Sequence, residues 1–405
     1  MKRIKILRII ARLNIGGPAI HTILLTDGLD RNRFDSLLAC GAVGTGEAEM
    51  SYYAQQKGVT AVYIPELKRE LNTLNDLIVF IKILRLIKTE KPDIIHTHTA
   101  KAGVLGRSAG IVYNIGGSGG IKLIHTFHGH IFEGYFNKFL TAIFILIEKF
   151  LAYFTYPIIT VSESVKNELI GLGICKADKI KVIPLGFELE KFLNINTDKY
   201  ESNANVRACP ESGGELNTLN VGIVGRLVPI KNHHLFLEAA AIVIKKNPQL
   251  KVRFKIVGDG ELRGELEEYS RKLNIAGCVE FTGWQKDLPR VYADLDIVCL
   301  TSLNEGTPVS LIEAMAARRT VVATQVGGVV DLLGEEMKVR ENFIVRKRGV
   351  TVRPNDTQGF AKALTFVLEN EDIRKTLTIA AREYVKDSFS KERLLRDMEK
   401  LYSRV

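Results

Sequence analysis

The chain has 405 residues, of which 46% are hydrophobic and 25% charged, and its formal net charge is +10. This length predicts two domains of ordinary size, and the composition is typical of a globular protein. No uncharged apolar run reaches the roughly 20 residues that a membrane-spanning helix needs. The sequence therefore argues against a disordered chain and against a protein that crosses a membrane.

The positive charge is unevenly distributed. Residues 1–195 contain 24 Lys or Arg and 17 Asp or Glu, whereas residues 196–405 contain 32 and 29. Such an excess attracts an anionic membrane surface, although a solvated basic surface without a partner explains it equally well. Nucleic acid is not an expected partner, because the basic residues are dispersed and no arginine-rich arm, zinc finger or aromatic RNP-like strand occurs.

The first residues and the cysteines indicate a cytoplasmic protein. Lys2, Arg3 and Lys5 place charges in the first apolar run, which predicts a strand and not a signal peptide. The five cysteines are scattered and form no Cys-x-x-Cys pair. We therefore expect reduced thiols, with neither a disulfide framework nor a thiolate zinc site.

Strand and helix patterns alternate in both halves of the sequence, which predicts an α/β fold of parallel sheets covered by helices. In the first half, strands are predicted at 4–10, 36–40, 61–64, 94–97, 123–127, 158–161 and 181–183. In the second half, they are predicted at 219–224, 252–257, 297–300, 320–323 and 350–352. The polar stretch 196–219 predicts a linker or surface excursion between domains at 1–195 and 220–385, followed by a C-terminal segment at 386–405.

Glycines and histidines mark the first half. Gly16 and Gly17 follow the first strand and open a helix at Pro18. A bare backbone there can approach a phosphate or an acceptor closely, although a tight turn needs the same residues. Five histidines occur at positions 96, 98, 125, 128 and 130. They lie at strand ends without accompanying acids, so we predict no metal site.

The stretch 134–154 is apolar and unusually aromatic, with large side chains at helical spacing. Such a helix either packs on the sheet or lies at a bilayer interface. Packing is the more ordinary role, and an exposed remainder of the helix could still face lipid.

Two cations follow the first strand of the second half. The run 219–225 is typical of a buried strand and leads into Arg226 and Lys231. Open α/β sheets bind ligands at the carboxyl ends of their strands. The planar fork of Arg and the mobile charge of Lys together suit a diphosphate.

Two carboxylates flank the start of a later helix. Glu305 and Glu313 lie eight positions apart, and Thr307 followed by Pro308 predicts an N-cap and a first helical residue. The unpaired N–H groups of a helix N-terminus favour an anion. Glu313, inside the helix, could accept hydrogen bonds from a neutral polyol. A sugar nucleotide offers both kinds of group.

In combination and order, these motifs resemble glycosyltransferase family 4, which is retaining, uses nucleotide sugars and has the GT-B fold. The resemblance is carried by Arg226, Lys231, the runs 258–262 and 281–284, Glu305, Glu313, Gly16, Gly17, His96, His98, His125 and His128. It extends through nearly the whole chain. It implies two Rossmann-like, doubly wound parallel-sheet domains facing a central cleft, the first binding the acceptor and the second the donor. It also implies that the C-terminal helix packs back on the first domain.

The resemblance further implies roles for individual residues. His128 would orient the donor sugar, while His96, His98 and His125 would be supporting or structural. Glu305 would lie near the transferred sugar, and Glu313 would bind the ribose hydroxyls. Catalysis would then rest on His128, Arg226, Lys231 and Glu305. The remaining donor-binding residues would be Gly16, Gly17, Gly283, Gly306, Thr307 and Pro308.

We expect neither a cofactor nor a divalent metal. Asp294 and Asp296 form an Asp-x-Asp sequence, the metal-binding signature of another glycosyltransferase fold. They directly precede the apolar run 297–300 and follow a predicted helix at 288–293. A helix-to-strand junction therefore explains them more simply.

The segments 96–107 and 125–130 are similar to enzymes of bacterial capsule, O-antigen and exopolysaccharide assembly. Those enzymes extend a saccharide on a polyprenyl-diphosphate carrier at the cytoplasmic membrane face. The resemblance thus implies a nucleotide-sugar donor, with uridine the commonest base in the family, and a lipid-linked or other saccharide acceptor. Lys101 and Arg107 could meet the carrier diphosphate or have surface or structural roles.

Other activities stay open. A sugar-nucleotide 2-epimerase shares the fold and the donors but would convert its donor without an acceptor, and a transferase could also use a soluble acceptor. A glycoside hydrolase is not expected, because it needs two carboxylates roughly 5–10 Å apart, whereas eight helical positions separate the backbones of Glu305 and Glu313 by about 12 Å. A hydrolase also has no need of the Arg226 and Lys231 pair. A nicotinamide oxidoreductase is not expected either, because the first strand lacks the Gly-x-Gly-x-x-Gly sequence.

Overall fold

The computed structural model describes residues 2–44, 49–68, 72–117, 120–129, 138–195 and 218–405. The predicted linker at 196–219 lies outside the described residues except for its last two positions. The chain divides into two units, Met1–Phe187 with Ser390–Val405, and Glu188–Phe389. These borders lie near the predicted borders at 195 and 385 without coinciding with them. The functions of the two domains stay predictions.

The first unit alternates strands with helices. Its elements up to Phe187 are β1 (Ile4–Arg12), α1 (Gly17–Gly28), β2 (Phe34–Gly41), α2 (Ser51–Gln56), β3 (Ala61–Ile64), α3 (Thr73–Glu90), β4 (Ile94–His98), α4 (Ala100–Ile115), β5 (Lys122–Phe127), α5 (Lys138–Phe154), β6 (Ile158–Thr160), α6 (Glu163–Gly171) and β7 (Ile180–Val182). All seven strands predicted for this half are confirmed. They form one sheet in the order β3-β2-β1-β4-β5-β6-β7, and every pair is parallel.

The second unit has the same alternation. Its elements are α7 (Glu190–Leu193), β8 (Leu219–Val224), α8 (His233–Lys246), β9 (Val252–Val257), α9 (Arg263–Lys272), β10 (Val279–Gly283), α10 (Leu288–Ala293), β11 (Ile297–Leu300), α11 (Val309–Ala316), β12 (Thr320–Thr324), α12 (Gly328–Leu333), β13 (Glu336–Val339), β14 (Phe343–Arg346), β15 (Gly349–Val352), α13 (Thr357–Glu369) and α14 (Glu371–Ser388). The sheet order is β10-β9-β8-β11-β12-β15-β14-β13. All five strands predicted for this half are confirmed, and β10, β13 and β14 are additional.

One edge of the second sheet corrects the expectation of parallel strands throughout. Strands β13 and β14 pair antiparallel, and β14 pairs antiparallel with β15. Every residue of β13 is exposed, so this strand carries no buried apolar pattern that would reveal it in the sequence. Strand β13 lies at the edge of the sheet and is held by its hydrogen bonds to β14. It therefore needs no buried apolar face.

Helix α15 (Lys391–Tyr402) completes the first unit. Leu394, Met398 and Tyr402 recur every fourth position on its buried face and join a core with Ile6 and Phe34. This spacing places all three side chains on one stripe of the helix. The C-terminal helix thus lies in the core of the first unit.

Helix α5 has two apolar faces. Leu151 is buried in the core of the first unit with Ile147 packed against that core. The other face exposes Phe139, Leu146, Phe150 and Tyr153. Positions 134–137 of the predicted helix lie outside the described residues. Within the described ranges, no helix has both the length and the apolarity needed to cross a membrane.

Three of the five cysteines, Cys40, Cys175 and Cys299, are free thiols, in agreement with the expectation of reduced cysteines. Cys209 lies outside the described residues.

Candidate active site

Three strand ends of the second unit meet through glycine backbone. The Gly225 N–H donates to Val257 O at 2.9 Å, and the Gly258 N–H donates to Gly283 O at 3.0 Å. A Cβ at Gly258, where φ is +137°, would lie 1.9 Å from Gly225 O, so no side chain fits. Gly283, which is predicted to bind the nucleotide-sugar donor, thus bonds to Gly258. Gly258 in turn packs against Gly225, directly before the loop that begins at Arg226.

The loops after β8 and β11 are tied together. The Leu303 N–H donates to Ile230 O at 2.9 Å, and Thr301 Oγ1 donates to Lys231 O at 2.9 Å. These bonds place the cationic loop beside the loop that carries Glu305. Arg226 is partly exposed, and among the described residues its guanidinium has no hydrogen-bonding or ion-pairing partner.

Lys231 and Glu305 form an ion pair. Lys231 Nζ lies 2.5 Å from Glu305 Oε1, and Ser302 Oγ donates to the same oxygen at 2.6 Å. The side chains are only 24% and 11% exposed, so the pair is largely shielded from solvent. The sequence placed these residues near different parts of a ligand and did not foresee that they contact each other. Because Lys231 is paired, Arg226 is the cation of this loop that has no counter-charge among the residues that the structure describes.

The N-terminus of α11 differs by one residue from prediction. Its first helical residue is Val309 and its N-cap is Pro308, whose ψ is 97°. The prediction of Thr307 as N-cap and Pro308 as first helical residue is wrong, because Pro308 has an extended backbone. Thr307 Oγ1 is buried and makes no hydrogen bond to any described residue. The Gly328 N–H donates to Glu305 O at 3.2 Å and fixes the loop before Gly306.

Glu313 lies one turn inside α11 and is buried. Tyr292 OH donates to Glu313 Oε2 at 2.9 Å. Burial raises the pKa of Glu313 to about 7, while the Tyr292 hydrogen bond and the charge of Lys191 act to lower it. The carboxyl therefore titrates near neutral pH. The sequence analysis missed Tyr292, although a buried tyrosine hydroxyl generally requires a partner.

The glycine turn of the first unit opens α1 as predicted. Gly16 is the N-cap, with φ of +155°, and Gly17 is the first helical residue, with Pro18 next. A Cβ at Gly16 would meet only Pro18 Cδ, at 3.8 Å. The backbone conformation, and not crowding, therefore favours glycine at this position.

His128 is half-buried and contacts a cluster of buried histidines. Its Nε2 lies 3.0 Å from Nδ1 of His98, and burial lowers the pKa of His128 to about 3. His96 bonds to Tyr402 OH at 2.6 Å and to Thr126 Oγ1 at 2.7 Å. These rings are neutral at physiological pH, since burial lowers the pKa of His96 and His98 as well. Among the described residues, which exclude position 130, no three acids, histidines or cysteines are arranged to hold a metal ion.

The Asp-x-Asp sequence lies at the junction between α10 and β11, as predicted. Asp294 Oδ2 is 2.5 Å from Lys255 Nζ. Asp296 Oδ2 accepts the Asn220 N–H at 2.8 Å. Both carboxylates therefore hold the junction in place.

Arg107 is structural. Its side chain is 0% exposed and pairs with Glu148, which is 4% exposed, at 2.8 Å. The possibility that Arg107 meets a carrier diphosphate is therefore wrong, because a ligand cannot reach it. Lys101 is also paired, with its Nζ 2.6 Å from Asp76 Oδ1.

Comparisons with known proteins agree with this geometry. The family model described as Glycosyltransferase Family 4 matches residues 15–191, and the one described as Glycosyl transferases group 1 matches residues 218–370. The Escherichia coli UDP-Gal:alpha-D-GlcNAc-diphosphoundecaprenol alpha-1,3-galactosyltransferase is 30% identical over 345 residues, which cover 85% of this chain and 82% of the relative. The Staphylococcus aureus capsular polysaccharide biosynthesis glycosyltransferase CapM is 25% identical over 84% of both chains.

A solved structure supports the fold. Anabaena HepE, crystallised with UDP, superposes with a TM-score of 0.79 at 22% identity, over 99% of this chain and 100% of that one. Both halves of the sequence thus match glycosyltransferase family models, and each forms a Rossmann-like unit. The chain belongs to the family 4 glycosyltransferases and has their GT-B fold.

Proposed function

We propose that this enzyme transfers a hexosyl or N-acetylhexosaminyl group from a UDP-sugar to a saccharide on a polyprenyl diphosphate, with retention of anomeric configuration. The reaction would serve bacterial surface-polysaccharide synthesis at the cytoplasmic face of the membrane. The relatives support this assignment, since one is named for a diphosphoundecaprenol acceptor and another for capsule synthesis. The observation that carries it is Arg226, which has no partner in the described part of the chain, beside the Lys231–Glu305 pair.

The donor would bind through complementary charge. Arg226 offers a planar fork to the diphosphate, and the free N–H groups at the start of α11 favour the same anion. Glu313, when ionised, would accept hydrogen bonds from the ribose hydroxyls. Gly283 and Gly306 would let the nucleotide lie close to the backbone, as would Gly16 and Gly17 in the first unit. Thr307 and Pro308 would line the same helix end.

Catalysis would follow from the charge that develops as the anomeric bond breaks. The departing diphosphate gains negative charge, which Arg226, Lys231 and the α11 N-terminus would stabilise from fixed positions. Glu305 holds the Lys231 ammonium in place and would lie near the transferred sugar. His128 would act as a neutral hydrogen-bonding group on that sugar. The acceptor hydroxyl would attack on the leaving-group face and give its proton to a diphosphate oxygen.

The test begins with the nucleotide. Calorimetry with UDP and GDP is expected to show binding of UDP. Incubation of UDP-sugars without acceptor is expected to give only slow hydrolysis. Addition of GlcNAc-diphosphoundecaprenol is expected to start transfer from one donor, and EDTA is expected to leave that rate unchanged. Rapid formation of an epimeric sugar nucleotide would instead identify a 2-epimerase, and absence of nucleotide binding would contradict the donor site.

The exposed face of α5 supports a peripheral contact with an anionic membrane. Phe139, Leu146 and Tyr153 recur every seventh position, with Phe150 between them, and are 61–77% exposed. Helix α4 contacts both α3 and α5, and α3 exposes Leu74 and several other apolar side chains. The excess of Lys and Arg in residues 1–195 matches an anionic surface.

Membrane contact predicts a specific loss of vesicle binding. Replacing both Leu146 and Phe150 with Ser is expected to weaken binding to phosphatidylglycerol-containing vesicles about tenfold or more, because each side chain contributes apolar burial. Vesicle co-sedimentation measures this. The control is Ile379→Ser, which alters a side chain in the second unit that is 57% exposed. Equal vesicle binding by the wild type, the double variant and Ile379→Ser would contradict the membrane contact.

A further inference from the structure

The hydroxyl of Tyr292 donates a hydrogen bond to the carboxylate of Glu313, which the proposed function assigns to the ribose hydroxyls. Tyr292 lies on α10 and is fully buried. Its hydroxyl is 2.9 Å from Glu313 Oε2 and 3.1 Å from the carbonyl oxygen of Ser310. Its ring packs edge-on against Phe192, with centroids 5.6 Å apart. The hydroxyl thus has one proton and two acceptors within reach.

The protonation state of Glu313 decides how this proton is used. An ionised carboxylate accepts it from Tyr292. A protonated carboxyl can instead donate to the Tyr292 oxygen, which then turns its own proton to Ser310 O. Tyr292 itself stays protonated, because burial raises its pKa well above the ordinary value.

The other groups packed against α11 leave Tyr292 as the hydrogen-bonding partner of this carboxyl. Lys191 of α7 acts on Glu313 only through its charge. Helix α14 also packs on α11, and its Arg382 donates to Leu193 O at the end of α7. Strands β11 and β12 contribute one titratable residue, Cys299. Burial raises the pKa of its thiol, which therefore stays neutral.

We infer that Tyr292 is a positioning residue of the donor site, whose hydroxyl holds the Glu313 carboxylate oriented as a double acceptor for the ribose hydroxyls. The inference rests on the proposed donor-binding role of Glu313. Tyr292 acts through Glu313 and not by touching the donor. Removing its hydroxyl should therefore weaken donor binding and shift the pH at which binding is lost.

Tyr292→Phe removes the hydroxyl and keeps the ring against Phe192. Its KM for the nucleotide sugar at neutral pH is expected to rise about tenfold, the equivalent of one hydrogen bond to a charged group, with kcat changed by less than about twofold. Donor binding falls as pH drops below the pKa of Glu313. Because the lost hydrogen bond had lowered that pKa, the fall should begin at higher pH in the variant. Fluorotyrosine at position 292, a stronger donor, should shift it to lower pH.

The matched control is Tyr269→Phe. It removes a tyrosine–glutamate hydrogen bond of 2.7 Å to Glu238 in the same unit. It is expected to leave KM and its pH profile unchanged. Thermal unfolding checks that each variant is folded, and the fluorotyrosine enzyme decides the matter if Tyr292→Phe does not fold.

Glu313→Gln separates the two ways in which the inference can fail. If this variant binds the nucleotide sugar like wild type, the proposed role of Glu313 is wrong. If it binds weakly while the Phe and fluorotyrosine enzymes both keep the wild-type pH profile, the positioning role of Tyr292 is wrong. Opposite shifts of the pH profile in the Phe and fluorotyrosine enzymes would support the positioning role of Tyr292.

Discussion

Lys231→Ala is expected to lower turnover about a hundredfold to a thousandfold, the usual cost of removing one preorganised group that stabilises transition-state charge. The reason is twofold. The departing diphosphate loses a cation, and Glu305, whose side chain is 11% exposed, loses the ammonium that neutralises it. An uncompensated carboxylate would then repel the developing negative charge. Steady-state kinetics with the donor identified by the nucleotide screen measures the effect.

Lys255→Ala provides the matched control. Lys255 also forms a 2.5 Å pair with a carboxylate, that of Asp294, and its side chain is 11% exposed. Asp294 precedes the start of β11, whereas Arg226 follows the end of the parallel strand β8, at the opposite edge of the sheet. Both variants lose a lysine–carboxylate pair, but only the Lys231 variant is expected to lose turnover. Near-normal turnover in Lys231→Ala would remove Lys231 from its catalytic role.

Arg107→Met is expected to lower the free energy of unfolding by about 3–5 kcal/mol, because it leaves a buried carboxylate without its partner. Arg107 Nη2 donates to both oxygens of Glu148 at 2.8 Å. Arg107 Nε also donates to Gly103 O at 2.9 Å. Denaturant unfolding at neutral pH measures the loss.

A double variant tests the origin of this loss. Arg107→Met combined with Glu148→Leu removes both charges and is expected to recover most of the stability, since a buried pair can often be replaced by apolar groups at little cost. The surface pair of Lys272 and Glu268, with side chains 68% and 58% exposed, is the control. Lys272→Met is expected to leave stability unchanged. Failure of the double variant to recover would show that the ion pair itself stabilises the fold.

The sequence was sufficient for the elements whose apolar pattern is strong. All the predicted strands are present, because a strand buried in a parallel sheet is a continuous apolar run. The hairpin of β13 and β14 was missed, since exposed residues at a sheet edge have no such pattern. The predicted start of α11 lies one residue too early. Proline is common at the first position of a helix, but here Pro308 is the N-cap and the helix begins at Val309.

The candidate site was predictable as a set of residues but not as a set of contacts. Arg226, Lys231 and Glu305 could be singled out by residue type and spacing. The Lys231–Glu305 bond joins residues 74 positions apart, and the Tyr292–Glu313 bond joins residues 21 positions apart. Such pairs depend on the order of strands in the sheet. The role of Arg107 stayed open in the sequence for the same reason, since its partner lies 41 positions away.

The position of α15 in the core has a consequence for how the protein is made. Leu394, Met398 and Tyr402 cover Ile6 and Ile94 of the first sheet. Translation reaches these three residues only after the whole second unit, which ends at Phe389, has been synthesised. Until then, the part of the chain that is synthesised first keeps an open apolar surface, on which chaperones can act. The first unit to emerge is therefore the last to be completed.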